Sequence, residues 1–412
     1  MPSPCFLSAI ASLLKCPLAF LSGSPLTEAG FTHITSAPER ERRHAALRRM
    51  MSENALEAVI VSSRGDEFMR GRVQYVSDVF QWAGWSFVIL PLRGEPVFIV
   101  DPLWGSARAA LVAWIQKLVT THHPGIEMAG LLSDLGLAKG AIGIAGMADI
   151  TAHAHVRELE KALPGATFSD ATDLFDDVRA IKSEEEIANC YETSAILRTV
   201  FKALEAELRP GVQERDAMAQ AHRLCRQYGC LDGIAQIARR PFRAYSFGTT
   251  GVLERDDIIA IDLEWGGPSG YWVELRRCFS FGTPPDDVRR FWDTRVESFA
   301  ACVDAMKAGN SSEEILAARD RVYAKYGQSG KGAINYTAHG IGVDSLEPPW
   351  VPGKERTLRE NMVINLHPTI RFENPEEGLA LGGVSLADNV LVGEGSGIRM
   401  TDQVDEWIVL EP

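Results

Sequence analysis

Cysteine is scarce and unpatterned in this 412-residue chain. The seven residues, at 5, 16, 190, 225, 230, 278 and 302, include no CxxC pair and no zinc-finger spacing. That excludes a disulfide-stapled scaffold and a structural zinc module, and the odd, scattered count fits reduced thiols in a cytoplasmic protein. A basic face is lacking as well. Lys and Arg total 42 against 55 Asp and Glu, a net charge of −13, which argues against a nucleic-acid partner; the short run Arg239, Arg240, Arg243 reads as a solvated turn or an anion-binding edge. The one long apolar run, Cys5 to Leu21, is broken by Lys15 and has no basic region before it, so it reads as neither a signal peptide nor a membrane span. No membrane partner is expected, and residues 1–35 are read as an extension of doubtful order. No low-complexity tract or strong internal repeat is visible.

What is present is unusual in one place. Residues 256–282, DDIIAIDLEWGGPSGYWVELRRCFSFG, read as two strands joined by a Gly/Pro/Ser turn. Side chains alternate along a strand, so Asp262 and Glu264 share one face, and Glu274 and Arg276 share one face of the partner. Carboxylates in otherwise apolar strands need a metal, a cationic ligand or an internal arginine beside them. Both a functional role and an ion pair from Asp262 or Glu274 to Arg276 satisfy that need.

Around the hairpin the chain organises into two parts. Residues 39–55 form an amphipathic helix. Leu56 to Val61 is a buried strand, followed by the stretch Gly71 to Tyr75 and the aromatic segment Phe80 to Trp85. Phe87 to Pro91 and Pro96 to Val100 bracket a turn at Arg93-Gly94. Alternating elements continue to about residue 178. Ser183 then caps a helix with the acidic start Glu184-Glu185-Glu186, running to about Leu208, and a second helix spans Glu214 to Tyr228. From Ile234 onward strands and glycine turns dominate, with one helix pair between Asp286 and Tyr326. The domain reading is 36–178 and 179–412.

Four further segments carry polar chemistry. Tyr336 to Gly342 sets His339 against two glycines, where backbone approaches a ligand closely. Glu360 to Pro368 is a buried strand ending in His367. Leu381 to Val392 reads as a strand with a polar break, and Arg243-Ala244-Tyr245 precedes the hairpin.

Taken in order, these segments resemble the creatinase/prolidase/methionine-aminopeptidase (pita-bread) family over about residues 36–412. The resemblance implies an α/β (α+β) fold, with a smaller N-terminal domain and a pseudo-symmetric C-terminal domain whose curved antiparallel sheet cradles the site. It implies a homodimer, and in creatinase-like members the neighbour's N-terminal domain lines the pocket. Peptidases of the family hold two metal ions on two Asp, one His and two Glu. By the resemblance Asp262 and His339 match, whereas Glu274 stands for the second Asp, His367 for the first Glu and Ala387 for the bridging Glu. The assisting histidines correspond to Tyr245 and Leu346, and the substrate-binding Glu of creatinases falls at Arg276.

Two readings of the site follow. In one, Glu274, His339 and His367, with Asp262 nearby, hold a single divalent ion. In the other no cofactor is present and the histidines act as acid and base. Catalytic candidates are His339, His367, Glu274 and Tyr245. Asp262, Glu264, Arg276, Trp82 and Trp85 are substrate-binding candidates: Arg276 or Arg277 for a carboxylate, and the tryptophans as a stacking wall or as interface packing. The expected activity is hydrolysis of a C–N bond in a small polar or zwitterionic substrate. A lyase similar to the pita-bread dimethylsulfoniopropionate lyase, with acidic residues at Asp262, Glu264 and Glu274, is one alternative. A non-catalytic binding protein is another.

Overall fold

The computed structural model describes residues 35–328, 337–347 and 356–411, apart from 67, 104, 403, 404 and 406. The extension up to residue 34, Tyr336 and Pro348-Pro349 lie outside the described residues. The chain divides after Arg179 into two compact units.

The first unit carries a six-stranded mixed sheet of β1 (Ala58–Arg64), β2 (Trp85–Pro91), β3 (Val97–Val100), β4 (Lys117–Thr120), β5 (Ala141–Ala145) and β6 (Thr167–Asp170). Its order is β4-β3-β2-β1-β5-β6. The β2–β3 hairpin turns through Gly94, whose φ of 106° is the left-handed region that glycine enters without steric cost. The amphipathic helix is Ala37–Glu53, starting two residues earlier than its apolar spacing suggests, because Ser36 caps it by accepting from the Glu39 amide. The stretch from Gly71 is a short helix, Gly71–Ser77.

The second unit carries two four-stranded sheets. One has the order β14-β9-β8-β7, from β7 (Asp232–Arg239), β8 (Ile258–Gly266), β9 (Trp272–Phe281) and β14 (Ile408–Leu410). The other is β10 (Ala338–Gly340), β11 (Val363–Leu366), β12 (Asp388–Leu391) and β13 (Ile398–Arg399), all antiparallel. A backbone bridge between Arg276 and Ala387 joins them. The first sheet is antiparallel except at its edge, where β14 lies parallel to β9.

Alternation along β8 and β9 decides what packs where. Ile259, Ile261, Leu263, Val273 and Leu275 join one core with Leu197, Phe201 and Leu204 of the helix Glu184–Glu207 and Met218 of the helix Glu214–Gln227. Burying each such side chain is worth about 1.5–3 kcal/mol. On the opposite face, Ile258, Ala260 and Cys278 meet Phe291 and Phe299 of the helix Asp286–Ala305 and Ile364 and Val390 of the second sheet. Helix Glu184–Glu207 begins in a reciprocal capping box: the Ser183 hydroxyl accepts from the Glu186 amide, and the Glu186 carboxylate accepts from the Ser183 amide.

The stretch from Leu381 to Val392 departs from expectation. It is not one strand: Leu381 ends a short helix, Pro375–Leu381, and only Asp388–Leu391 pairs in the sheet. The helix has its own signals, an Asn374 cap, a first-turn proline and two acidic residues after it. Among the described residues no helix is long and apolar enough to cross a membrane.

Candidate active site

The register of β8 against β9 sets Asp262 opposite Arg276 and Glu264 opposite Glu274. Directly opposed residues of an antiparallel pair face the same way, so all four stand on one side of the sheet, beyond the apolar row of Ile258, Ala260 and Cys278. His339 is the middle residue of β10 and pairs with Asn365. His367 follows β11 directly, and its amide donates to the Thr337 carbonyl at 2.8 Å. The two imidazole centroids are 5.4 Å apart.

Glu274, His339 and His367, all buried, each offer one ligand atom, and these atoms lie within 4.8 Å of one another. His339 Nδ1 is 3.0 Å from the Gly340 carbonyl, which only accepts, so Nδ1 carries the proton. Its Nε2 then faces Glu274 Oε2 at 3.2 Å, an arrangement that calls for a second proton or a cation between them. The Nδ1 atom of His367 is buried with no hydrogen-bond partner.

Arg276 reaches two carboxylates: Nε donates to Asp262 Oδ2 and Nη2 contacts Glu274 Oε1, both at 2.8 Å. Its guanidinium lies 5.5 Å from the centre of the Tyr245 ring, and the Tyr245 hydroxyl is 3.0 Å from Ser385 Oγ. Glu264 accepts from the Ser345 hydroxyl. The Glu274 carbonyl accepts from Asn365 Nδ2 at 2.8 Å and from Asn389 Nδ2 at 3.1 Å.

The electrostatics follow from three carboxyls crowded out of water. Burial raises Glu264, and neighbouring Glu274 raises it further, to about 7. Burial also lifts Asp262; the Arg276 charge opposes that, but Glu274 and Glu264 on the same face keep it well above the usual range. Burial would raise Glu274 too, yet Arg276, His367 and His339 outweigh it and hold this carboxyl well below the usual range. Burial depresses His367 to about 3, so it presents a neutral ring. His339 is depressed by burial but raised more strongly by Glu274. Burial pushes the Tyr245 hydroxyl up, so it stays protonated.

Several sequence expectations change here. Asp262 stands outside the three-residue cluster, its Oδ2 engaged by Arg276. Arg276 is not a free carboxylate receptor, because its fork already serves two protein carboxylates. Arg277 points to the opposite face, donates to the Arg276 and Ala387 carbonyls and lies over Phe201. The space beside Gly342 belongs to the Glu347 carboxylate: a Cβ there would sit 2.6 Å from Glu347 Oε2. Glu347 in turn meets Lys182 at 2.7 Å in a buried ion pair and accepts from the Asp344 amide at 3.1 Å, ordering the loop after His339. Ala387 is fully buried and Leu346 exposed. Trp82 and Trp85 belong to the first unit, where Trp82 is exposed and Trp85 packs against Phe87 and His155. Ser345, Asn365 and Asn389 are additions; polar residues in the buried strands MVINL and ADNVL were the signal for the two asparagines.

Comparison with known proteins adds the following. The model of metallopeptidase family M24 matches residues 188–394, and that of the creatinase/prolidase N-terminal domain matches residues 43–181. The Xaa-Pro dipeptidase of Pyrococcus horikoshii is 23% identical over 368 residues, covering 87% of this chain and 96% of that protein. Among solved structures, the X-Pro aminopeptidase of Thermotoga maritima superposes with a TM-score of 0.77 at 19% identity, over 89% of this chain and 99% of that one. The Xaa-Pro dipeptidase of Bacillus anthracis does so with a TM-score of 0.73 at 20% identity, over 90% and 100%. These likenesses are likenesses of fold.

Proposed function

The chain belongs to metallopeptidase family M24, and from that premise we propose that it is a hydrolase cleaving a C–N bond in a small polar or zwitterionic substrate, with a site for one divalent ion. The names of its relatives put Xaa-Pro dipeptides first among candidate substrates. We take the working unit to be a homodimer, as the family resemblance implies.

The observation that carries this reading is the convergence of Glu274, His339 and His367. The donor set fits one ion: His339 turns its Nε2 toward a carboxylate, an arrangement that calls for a proton or a cation between them, and His367 has a buried nitrogen without a partner. Two imidazoles and a carboxylate are a sufficient set with positions left open.

Glu274, His339 and His367 would hold the ion. When bound, it supplies Lewis acidity that lowers the pKa of a coordinated water and polarises the scissile carbonyl. Glu264, on the same face and titrating near neutrality, takes up and returns the proton. Tyr245, held protonated, donates toward developing negative charge. The Arg276 ion pairs orient Asp262 and Glu274.

The test pairs elemental analysis of chelator-free protein with hydrolysis assays on Xaa-Pro dipeptides, guanidino acids and betaines. His367→Ala is expected to lose bound metal and at least about 100-fold in kcat/KM, more than second-sphere changes cost. A His367→Ala protein with full activity and unchanged metal content would remove the cluster from the mechanism.

A further inference from the structure

Arg276 divides its guanidinium between two acids instead of clasping one. A bidentate clamp on a single carboxylate is the usual use of the arginine fork; here Nε goes to Asp262 and Nη2 to Glu274, each at 2.8 Å. Glu274 is divided too: Oε1 meets Arg276, while Oε2 meets His339 at 3.2 Å. That is the arrangement of a carboxylate shared between a guanidinium and an imidazole. Asp262 Oδ1 and Glu274 Oε1 are both buried with no hydrogen-bond partner, so Arg276 meets Glu274 as an ion contact and not as a directed hydrogen bond. Both acids are buried, and juxtaposed buried carboxyls are tolerated only with a cation or a shared proton between them.

We infer that Arg276 is a built-in cation: its guanidinium fills, between Asp262 and Glu274, the seat a second divalent ion would take, and thereby limits the site to one exchangeable ion. This deepens the single-ion reading above and rests on it for the first ion only; the occupied seat stands on the ion-pair geometry. A guanidinium stays charged at every pH a protein survives and cannot be chelated. The Asp262–Glu274 pair therefore keeps a compensating positive charge whether or not an ion is bound at the histidines. The covalent tether also places that charge without any dependence on metal concentration.

The experiment is a cobalt(II) titration of the chelator-stripped full-length protein, followed by visible absorption and checked by elemental analysis. Arg276→Met and Arg276→Gln keep the length of the side chain and remove the charge. Wild type is expected to saturate at one cobalt per chain, and each variant at one more than wild type, with a second set of absorption bands. Variants saturating at the wild-type number overturn the inference, as does a wild type that takes up two ions. If neither variant folds, by circular dichroism, wild type decides alone: a second ion bound at micromolar cobalt overturns the inference, and none up to millimolar supports it. The single-ion reading fails separately. Wild type binding no cobalt while the variants bind one would sink that reading and leave the role of Arg276 standing.

Discussion

Replacing Glu264 by glutamine should make the metal-free protein more stable at neutral and alkaline pH and leave it unchanged in acid. Glu264 is buried, accepts from Ser345 and stands opposite Glu274; burial and then that neighbour raise its carboxyl from 4.5 to about 7. Below pH 4.5 it is protonated in both folded and unfolded chains, and an amide of the same shape is nearly equivalent. Between pH 4.5 and 7 the unfolded chain ionises while the folded one holds its proton, so wild type loses stability as pH rises. Above 7 the penalty levels off. At 1.36 kcal/mol per pH unit the wild-type deficit reaches about 3 kcal/mol. For a unit of this size that is roughly 6–12 °C in Tm. The assay is calorimetry or urea unfolding of EDTA-treated wild type and Glu264→Gln from pH 4.5 to 8.5. A flat difference between the two across that range, or a variant that loses ground as pH rises, would refute the assignment of a strained, proton-holding acid to this face.

Two further tests address the frame around the site. Lys182→Met removes the partner of Glu347 from an ion pair in which both side chains are 1% exposed, and should cost about 3–5 kcal/mol in urea unfolding at pH 7. Adding Glu347→Leu should recover most of that; a single change costing under about 1 kcal/mol would show that the pair is not what holds the loop. Ser183→Ala breaks the reciprocal cap of the helix Glu184–Glu207 and should cost about 1 kcal/mol, with Ser183→Asp restoring most of it.

Local pattern made the hairpin legible. The period of two in IIAIDLEWG and WVELRRCFSF places Asp262, Glu264, Glu274 and Arg276 on shared faces, and the register bears that out. The cap at Ser183 and the buried strand leading to His367 were likewise readable from short windows. What stayed hidden depends on separation in sequence and on direction in space. Lys182 and Glu347 are 165 positions apart, and nothing local in either announces the pairing. Arg276 and Arg277 are neighbours in a strand, and alternation alone sends one to the acids and the other to Phe201. The family resemblance pointed to Glu274, His339 and His367, which meet in space, but which group pairs with which is set by three-dimensional crowding. Leu381 to Val392 was misread because Val384-Ser385-Leu386-Ala387 after Gly382-Gly383 resembles a strand, whereas Pro375 and its cap start a helix just before it.

The two carboxamides on the Glu274 carbonyl have an evolutionary consequence. Asn365 and Asn389 reach the main chain at position 274, not its side chain, so their grip is indifferent to which residue sits there. A scaffold fastened through peptide oxygens leaves its inward-facing positions free to be exchanged one codon at a time. Imidazole can then succeed carboxylate, or a tethered positive charge succeed a diffusible one, while the architecture is inherited intact.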